Sequence, residues 1–354
     1  MIPPLFQNLM EPLGDAFMIN KGLWILNHNV PCSCACRYCL LRSHKKAENG
    51  VPYERGKEMA LRFDEWRKKR KPDDFWLSYT IGYCADYPEL VDNIAFNKAF
   101  DYIGFRYLQI NGIRFRSEPE LFQYLKDAKD AGVTHVDTSF YGLEEYHDRF
   151  AARKGDFQYL IKILKVVQKL DLKPQISIPL FEDNKDQIEE LVSLLEEYVG
   201  SEGAFHIFLQ DYRGYGEHLE RVRLLRRSYE ALPNKIKRYM NLSRYKTEEK
   251  WLRDGNFPKY TSRNLHLVLG PDTIDMLEKM TCDEIVDYLV GLDEAYYEAI
   301  PDIHTLAGLY GNIKSQKLYR QRDLQWKWQK RYIADHNLKL HDVTDERLCG
   351  SMRF

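Results

Sequence analysis

Short apolar runs alternate with longer amphipathic stretches through the first part of the chain, and this alternation limits the fold more than any other feature. Each of six runs has strand character and is followed by a stretch with helical spacing. Because neighbouring parallel strands need a long crossover, which a helix supplies, such units predict a parallel sheet. A span of roughly 200 residues suits an α/β fold, a partial (β/α)6 barrel. The runs are residues 22–29, 74–83, 106–112, 134–142, 173–180 and 204–212.

The pattern changes after the sixth run. The remaining stretches are typical of helices, and a single run, "NLHLVLG" at residues 264–270, has strand character. We therefore predict three segments: an N-terminal extension at residues 1–21, a (β/α)6 core at residues 22–222, and a mainly helical extension at residues 223–354. We expect the last segment to cap the barrel or pack on it.

The overall composition excludes several classes of protein. Of 354 residues, 44% are hydrophobic and 30% are charged, with a formal net charge of -1, which is typical of a globular protein and unlike a general nucleic-acid binder. We see neither a membrane-spanning apolar run nor a secretory signal. The odd number of cysteines, 7, and their clustering argue against a secreted disulfide scaffold. We expect a cytoplasmic protein with a metal site.

Four cysteines lie within the stretch "VPCSCACRYCLLR", just after the first predicted strand. Cys32, Cys36 and Cys39 have the spacing C-x3-C-x2-C. Three thiolates at this spacing can hold three irons of a 4Fe–4S cluster and leave the fourth iron open for chemistry. Cys34 fits neither interval, and we interpret it as a bystander. The alternatives are a disordered cysteine-rich loop and a zinc knuckle completed by Cys34 or His28, with His44 nearby. The strand–helix repeat makes both less favoured.

The cysteine motif, with Tyr38 just before its last cysteine, resembles the cluster motif of the radical S-adenosylmethionine (radical SAM) superfamily. The resemblance extends from about residue 22 to residue 220. It implies that S-adenosylmethionine (SAM) chelates the open iron and is cleaved by one electron. The resulting 5′-deoxyadenosyl radical would abstract a hydrogen atom from the substrate. It also implies a reductant such as flavodoxin or ferredoxin.

Further cofactor-binding residues follow from the same resemblance, in the turn after the second strand. Relatives carry a Gly-Gly-Glu-like turn there, whose acid contacts the SAM amino group. Gly82 matches a glycine of this turn, whereas Tyr83 stands at the acid position. The ammonium would then be bound by a backbone carbonyl, by the Tyr83 hydroxyl or by Asp86.

The ends of the later strands supply the other predicted SAM contacts. The segment "SFYGLEEYHDRFAARKG" resembles the Ser-Leu-Asp-Gly…His-Asp-x-x-Arg-Gly segment of the branch that includes peptide maturases and sulfatase-maturing enzymes, with Tyr141 replacing its acid. We expect His147 and Asp148 to be a structural pair or a helix cap rather than an acid–base couple. The candidate SAM contacts are Gln109, Asn111, Ser139, Arg153, Ser177 and Leu209.

Two other cysteines are candidate hydrogen-atom donors to a substrate radical. Cys84 lies in the turn after the second strand, where a small buried cysteine is the competing interpretation. Cys349 lies in the C-terminal "RLCGSMRF", where a disordered tail is the alternative. Beyond residue 84 only Cys282 and Cys349 remain, which is too few for a second cysteine-ligated cluster, so we predict a single one.

Three functions remain open at this stage. The first is a radical SAM enzyme that tailors a peptide or a small molecule. The second is a non-catalytic iron–sulfur or zinc protein, or an electron carrier, and its best argument is the missing acid at Tyr83. The third is an RNA-modifying radical SAM enzyme, which the neutral charge balance disfavours.

Overall fold

A computed structural model of the chain describes most of the predicted core and of the C-terminal segment. The described residues are 22–27, 32–37, 39, 50–70, 75–81, 85–100, 103–200, 204–209, 219–255, 257, 265–341 and 343.

Seven strands, all paired in parallel, form two sheets in the described part of the chain. The strands are β1 (Gly22–Asn27), β2 (Trp76–Thr80), β3 (Tyr107–Gln109), β4 (His135–Ser139), β5 (Lys173–Pro179), β6 (Ala204–Phe208) and β7 (Leu265–Leu269). One sheet has the order β2-β1-β7 and the other the order β3-β4-β5-β6. The strand–helix alternation and the parallel pairing confirm the α/β class predicted from the sequence.

Helices separate successive strands. In the core they are α1 (Tyr53–Arg70), α2 (Leu90–Ala99), α3 (Glu118–Ala131), α4 (Glu144–Ala151), α5 (Asp156–Lys169) and α6 (Ile188–Val199). The later helices are α7 (Arg226–Ala231), α8 (Asn234–Lys237), α9 (Glu248–Asp254), α10 (Ile274–Leu277), α11 (Cys282–Ala299), α12 (Ile303–Tyr310) and α13 (Gln321–Asp335). None of the described helices has the length and apolar character that a membrane span requires.

Side-chain alternation decides which face of each strand the helices cover. Val136 of β4 and Ile176 of β5 are fully buried, and they pack in one cluster with Leu125 of α3 and Leu164 of α5. Because successive residues of a strand point to opposite faces, the intervening side chains point away from these helices. In a barrel that second face lines the interior.

The strand β7 extends the first sheet from within the segment that the sequence assigned to a helical extension. Leu265–Leu269 pairs with β1 in parallel, with Trp24 opposite His266. Leu267 then joins a buried cluster with Ile25 of β1 and Ile285 of α11. The single strand predicted at residues 264–270 is thus confirmed, and its pairing partner is the first strand of the core. The division at residue 222 stays a prediction.

Two asparagines of α2 bind the backbone of β2 along the edge opposite β1. The side chain of Asn97 accepts a hydrogen bond from the Tyr79 backbone N–H at 2.9 Å and donates one to the Tyr79 carbonyl at 2.8 Å. Asn93 donates a further bond to the same carbonyl at 3.1 Å. Buried backbone groups need such partners, and here the two side chains replace a neighbouring strand. In the described part of the chain, β2 and β3 are therefore not paired, and the six predicted strands fall into two sheets.

Sequence signals at helix ends agree with the structure. Ser117 and Glu120 form a reciprocal capping box at the start of α3, and Gly132 ends that helix with a positive φ of 125°, as predicted for this glycine. In the C-terminal segment Trp326 and Trp328 of α13 are buried within the chain itself. Trp328 packs with Tyr296 of α11 in a cluster of its own.

Candidate active site

The cysteine loop follows β1 and is held by backbone hydrogen bonds from two sides. The Ser33 N–H donates to the Gly112 carbonyl at 2.8 Å, just beyond the end of β3. The Ala35 N–H donates to the Ala151 carbonyl at 2.8 Å, and the Arg37 N–H to the Phe150 carbonyl at 3.1 Å, both at the end of α4. These bonds place the loop at the carboxyl ends of the strands, where α/β folds carry their chemistry.

The absence of a side chain at Gly112 leaves space for the Cys32 sulfur. This glycine has a φ of +84°, and a Cβ added to it would lie 2.1 Å from Cys32 Sγ. Any side chain would therefore displace the sulfur as well as strain the backbone. The turn "QING" after β3 is thus shaped around the first cysteine of the motif.

Tyr141 contacts the second cysteine of the motif. Its hydroxyl lies 3.6 Å from Cys36 Sγ, within hydrogen-bond distance for sulfur. Hydrogen bonds from Cys34 and from Tyr141 lower the pKa of the Cys36 thiol and favour the thiolate that binds metal. The Tyr141 ring is stacked on His147 at a centroid distance of 5.0 Å. The tyrosine that replaces the acid of related sequences therefore touches the site.

Cys34 lies in contact with two of the motif cysteines. It is only 3% exposed, and hydrogen bonding to Cys32 and Cys36, followed by burial, raises the pKa of its thiol. Its sulfur also donates toward Asp156 Oδ2 at 3.7 Å. Cys34 is thus a buried, protonated thiol beside the motif. Its interpretation as a bystander that does not bind iron stays a prediction.

A buried polar network supports the loop from behind. His147 Nδ1 accepts from the Tyr141 N–H at 3.2 Å, so Nε2 carries the proton and donates to Asp156 Oδ2 at 3.1 Å. Asp148 accepts from the backbone N–H groups of Gly155 and Phe157 at the start of α5, as a helix cap does. The structural role predicted for His147 and Asp148 agrees with these contacts, although His147 pairs with Asp156 rather than with Asp148.

Two predicted SAM contacts are instead engaged within the protein. Arg153 donates to the Ile113 carbonyl at 2.7 Å and to Asp156 Oδ1 at 3.1 Å, and its guanidinium lies over the Phe115 ring. Asp86 forms an ion pair with Arg116, and both side chains are only 9% exposed. The structure therefore gives both charged groups protein partners, and a role of either in SAM binding stays a prediction.

Three other predicted contacts lie on the face of the second sheet opposite the one that packs against the described helices, which is called the uncovered face below. Gln109 lies at the end of β3, and Ser139 of β4 lies opposite Ser177 of β5. Asn111 links β3 to β4, since its side chain accepts from the Ser139 N–H at 2.6 Å and donates to the Ser139 carbonyl at 3.0 Å.

Leu209 follows β6 and is 2% exposed. Its backbone N–H donates to the Tyr245 hydroxyl at 3.3 Å.

The third motif cysteine, Cys39, belongs to the described part of the chain, and its N–H donates to the Cys36 carbonyl at 3.0 Å. The predicted residues outside the described part of the chain are Tyr38, Gly82, Tyr83, Cys84 and Cys349.

The donors of the loop suit an iron–sulfur cluster. They are soft sulfur ligands, Cys36 is biased toward the thiolate, and the backbone beside Cys32 leaves room for sulfur where a Cβ would fill it. Across the described ranges, no group of three or more His, Cys, Asp or Glu side chains is arranged to hold a metal ion. Ligation by Cys32, Cys36 and Cys39 therefore stays a prediction.

Comparison with known families supports this interpretation. Residues 26–195 match the model of the Radical SAM superfamily. The matched segment is a radical SAM domain. The cofactors of this domain are a 4Fe–4S cluster and SAM. The matched segment begins at the last two residues of β1, continues through β5 and contains the whole cysteine loop, so the resemblance seen in the sequence is confirmed. No curated protein sequence matches the chain.

Solved structures similar to this radical SAM chain are distant in sequence. SuiB of Streptococcus suis, bound to precursor peptide SuiA, is 16% identical over 62% of this chain and 46% of that chain, with a TM-score of 0.44. Native anSMEcpe with bound AdoMet is 11% identical over 89% of this chain and 97% of that chain, also with a TM-score of 0.44. Coproporphyrinogen III oxidase from Escherichia coli, a radical SAM enzyme, is 10% identical over 64% and 53%, with a TM-score of 0.38. The chain spans about half the length of SuiB and of the oxidase.

Sequence reasoning singled out neither Tyr141, which contacts Cys36, nor Asp137, which precedes Ser139 by two residues on β4, as a functional candidate. Tyr141 was noted only as a departure from the related motif, although its position after β4 was itself a signal. Asp137 was not noted at all. It is an acid at an alternate position of a strand whose neighbouring residues Val136 and Thr138 are buried, and such a pattern indicates a polar interior face.

Proposed function

We propose that this protein is a radical SAM enzyme that tailors a peptide or a small molecule. It would hold one 4Fe–4S cluster through Cys32, Cys36 and Cys39 and leave one iron for SAM. When bound, the cluster and SAM supply a 5′-deoxyadenosyl radical that removes a hydrogen atom from the substrate. A reductant such as flavodoxin or ferredoxin would deliver the electron.

The observation that carries the proposal is the position of the C-x3-C-x2-C loop within a radical SAM domain. The loop follows β1, at the end of the barrel where the strands terminate. The first two cysteines of the motif contact neighbouring elements: Cys32 lies against Gly112, and Cys36 lies beside the Tyr141 hydroxyl. A metal-binding loop that served only as a surface knuckle would not require either of these neighbours.

The chain's own residues would then bind and shield the reactants. Ser139 and Ser177 present hydroxyl groups side by side on the uncovered face, where they can accept or donate hydrogen bonds to the ribose or carboxylate of SAM. The aromatic cluster behind the loop includes Tyr146, Phe150 and Phe181. It packs against Cys32 and Cys36, which are partly buried, and would shield that side of the site from water. A dry site protects a reactive radical from side reactions.

The substrate class follows from the segment after β4, which resembles that of peptide maturases and sulfatase-maturing enzymes. Ser139, Gly142, His147 and Asp148 stand at matching positions. The scarcity of cysteines after residue 84 favours a single cluster and a stand-alone tailoring enzyme. A peptide and a metabolite are therefore both candidate substrates.

The second candidate is a protein that carries an iron–sulfur cluster or zinc without using SAM. Its supporting observation is Cys34, a fourth thiol in contact with Cys32 and Cys36 that could complete a closed site. A closed site leaves no iron for SAM. An RNA substrate is the least favoured, because the formal net charge of -1 provides no basic surface excess.

The deciding experiment is anaerobic reconstitution with iron and sulfide, followed by dithionite and SAM. We expect 5′-deoxyadenosine from the wild-type protein and none from Cys36→Ala. Cys282→Ala is the matched control, because Cys282 is a buried cysteine packed under the first sheet, away from the loop. A cluster with four protein ligands by Mössbauer spectroscopy, together with no SAM-induced spectral change, would establish the non-catalytic alternative.

A further inference from the structure

Asp137 lies in the middle of β4 and points into the barrel. The strand register puts Gln109 of β3 on one side of it and Gln175 of β5 on the other. Val136 and Thr138, its neighbours in sequence, are buried against the helix layer. The Asp137 side chain therefore lies on the uncovered face, about 7 Å deeper in the barrel than that of Ser139, at two residues of strand rise.

One oxygen of this carboxyl group lacks a partner. Asp137 Oδ1 is buried and accepts no hydrogen bond from any residue that the structure describes. Burial raises the pKa of Asp137 to about 7, and no charged group in the described part of the chain contributes to that shift. Buried polar atoms in native proteins are almost always hydrogen-bonded, so an exception requires an explanation. A ligand that brings its own donor would supply the missing partner.

The first sheet carries aromatic rings on the face that points away from its buried helix-side cluster. Trp24 of β1 and Trp76 of β2 pack edge to face at a centroid distance of 5.8 Å. Gly22 makes room for them, since a Cβ there would lie 2.2 Å from the Trp76 ring. Leu23 and Leu77, the alternate residues, belong to the buried helix-side cluster, so both tryptophans are on the opposite face. Carboxylates and aromatic rings both bind organic cations, and each sheet presents one of these groups on the face opposite its buried helix-side cluster.

We propose that Asp137 anchors the substrate of this enzyme by pairing with a cationic amine or guanidinium group. The inference rests on the proposed function, because it takes the barrel interior to be the substrate site. Such a cation would form a charge-assisted hydrogen bond with the buried oxygen and remove the cost of leaving it unpaired. A neutral substrate of the same shape would leave that cost in place. Asp137 thereby selects cationic substrates.

The test compares two probes that differ only in a terminal amine, and it uses the reconstituted protein. N-acetyl-lysine methylamide carries an amine, and N-acetyl-norleucine methylamide lacks it. We expect the wild-type protein to bind the lysine probe about ten-fold tighter or more, as a charge-assisted hydrogen bond provides. Asp137→Asn should abolish the preference. Asp171→Asn, an exposed aspartate before β5, is the matched control and should keep it.

Three outcomes would overturn the inference: equal binding of both probes, no binding of either at millimolar concentration, or a preference that survives Asp137→Asn. SAM affinity is measured in the same variants by titration. If Asp137→Asn weakens SAM binding as much as lysine-probe binding, the carboxylate contacts SAM and the substrate assignment is wrong. Deoxyadenosine formation is scored separately. A cation preference that depends on Asp137, together with a four-ligand cluster and no SAM-induced spectral change, would retain the cation site and refute the proposed function.

Discussion

The hydroxyl of Tyr141 lies 3.6 Å from the sulfur of Cys36. The two residues come from different elements, since Cys36 follows β1 and Tyr141 follows β4. Stacking on His147 fixes the tyrosine ring, and His147 is itself held by Asp156. The contact links a cysteine predicted to bind iron with a buried polar network, so the reduction potential of a cluster bound there would depend on that network.

Replacing Tyr141 by phenylalanine should lower the reduction potential of the reconstituted cluster. A hydrogen bond to a ligand sulfur stabilises the more negative reduced state. A bond worth about 0.5–1.5 kcal/mol corresponds to a decrease of roughly 20–60 mV for one electron. Electron paramagnetic resonance during a redox titration measures the shift. Tyr146→Phe is the matched control, because its hydroxyl binds Asp183 instead and should leave the potential unchanged. An unchanged potential in Tyr141→Phe would show that the contact does not reach the cluster.

Replacing Gly112 by alanine should prevent cluster assembly. The new methyl group would lie 2.1 Å from Cys32 Sγ and force the first cysteine out of place. The iron and sulfide content after reconstitution measures the effect, which we expect to be a loss of most of the bound iron. Gly255→Ala separates the clash from backbone strain, because Gly255 also has a positive φ, +67°, but has open space around it. That control should cost about 1 kcal/mol of stability and retain full iron content.

Replacing Asn97 by alanine should destabilise the fold by about 2–3 kcal/mol. The substitution leaves the backbone N–H of Tyr79 without its partner and removes one of two donors to the Tyr79 carbonyl. Urea unfolding followed by circular dichroism measures the change in free energy. Lys98→Ala, one residue later on the exposed side of α2, should change stability by less than about 0.5 kcal/mol. Equal stability of the two variants would mean that the β2 edge does not depend on these asparagines.

The stability of the protein should fall with rising pH through the charge of Asp137. Its pKa is about 7 in the folded protein and near 3.8 in the unfolded chain. Between these values the folded state holds a proton that the unfolded state has released, so stability decreases as pH rises through this window and is lowest above pH 7. Because the two pKa values differ by about 3, this proton contributes at most ~4 kcal/mol to the free energy of unfolding.

Asp137→Asn should remove this pH dependence and be more stable than the wild type at pH 8, by about 2 kcal/mol. Urea unfolding at pH 5 and at pH 8 measures the difference in unfolding free energy between the two proteins at each pH. Tyr107, His135 and Lys173 lie one row deeper on the same face, and their contributions cancel in the comparison because they are present in both proteins. An equal pH dependence of the two proteins would contradict the assignment of a buried, unpaired carboxyl group.

Much of the core was predictable because its signals are local. The six runs between residues 22 and 212 gave six parallel strands, since apolar runs and amphipathic stretches report which residues must be buried. Residues 264–270 were also recognised as a strand. Pairing of that strand with β1 was not predictable, because a strand's own sequence does not specify which distant edge it joins. The break between β2 and β3 depends on Asn93 and Asn97, which the sequence shows only as two helical asparagines.

For the site, the sequence alone determined the cysteine motif, its place after β1 and the strand ends that surround it, since spacing and strand order are properties of the chain. The tertiary structure alone decided how the side chains are used. Arg153 and Asp86 form contacts with other protein groups, and Cys34 lies against Cys32 and Cys36. Asp137 Oδ1 has no hydrogen-bond partner among the residues that the structure describes. The physical reason is that hydrogen bonds and burial depend on which remote segments meet, and that is determined only when the whole barrel has packed.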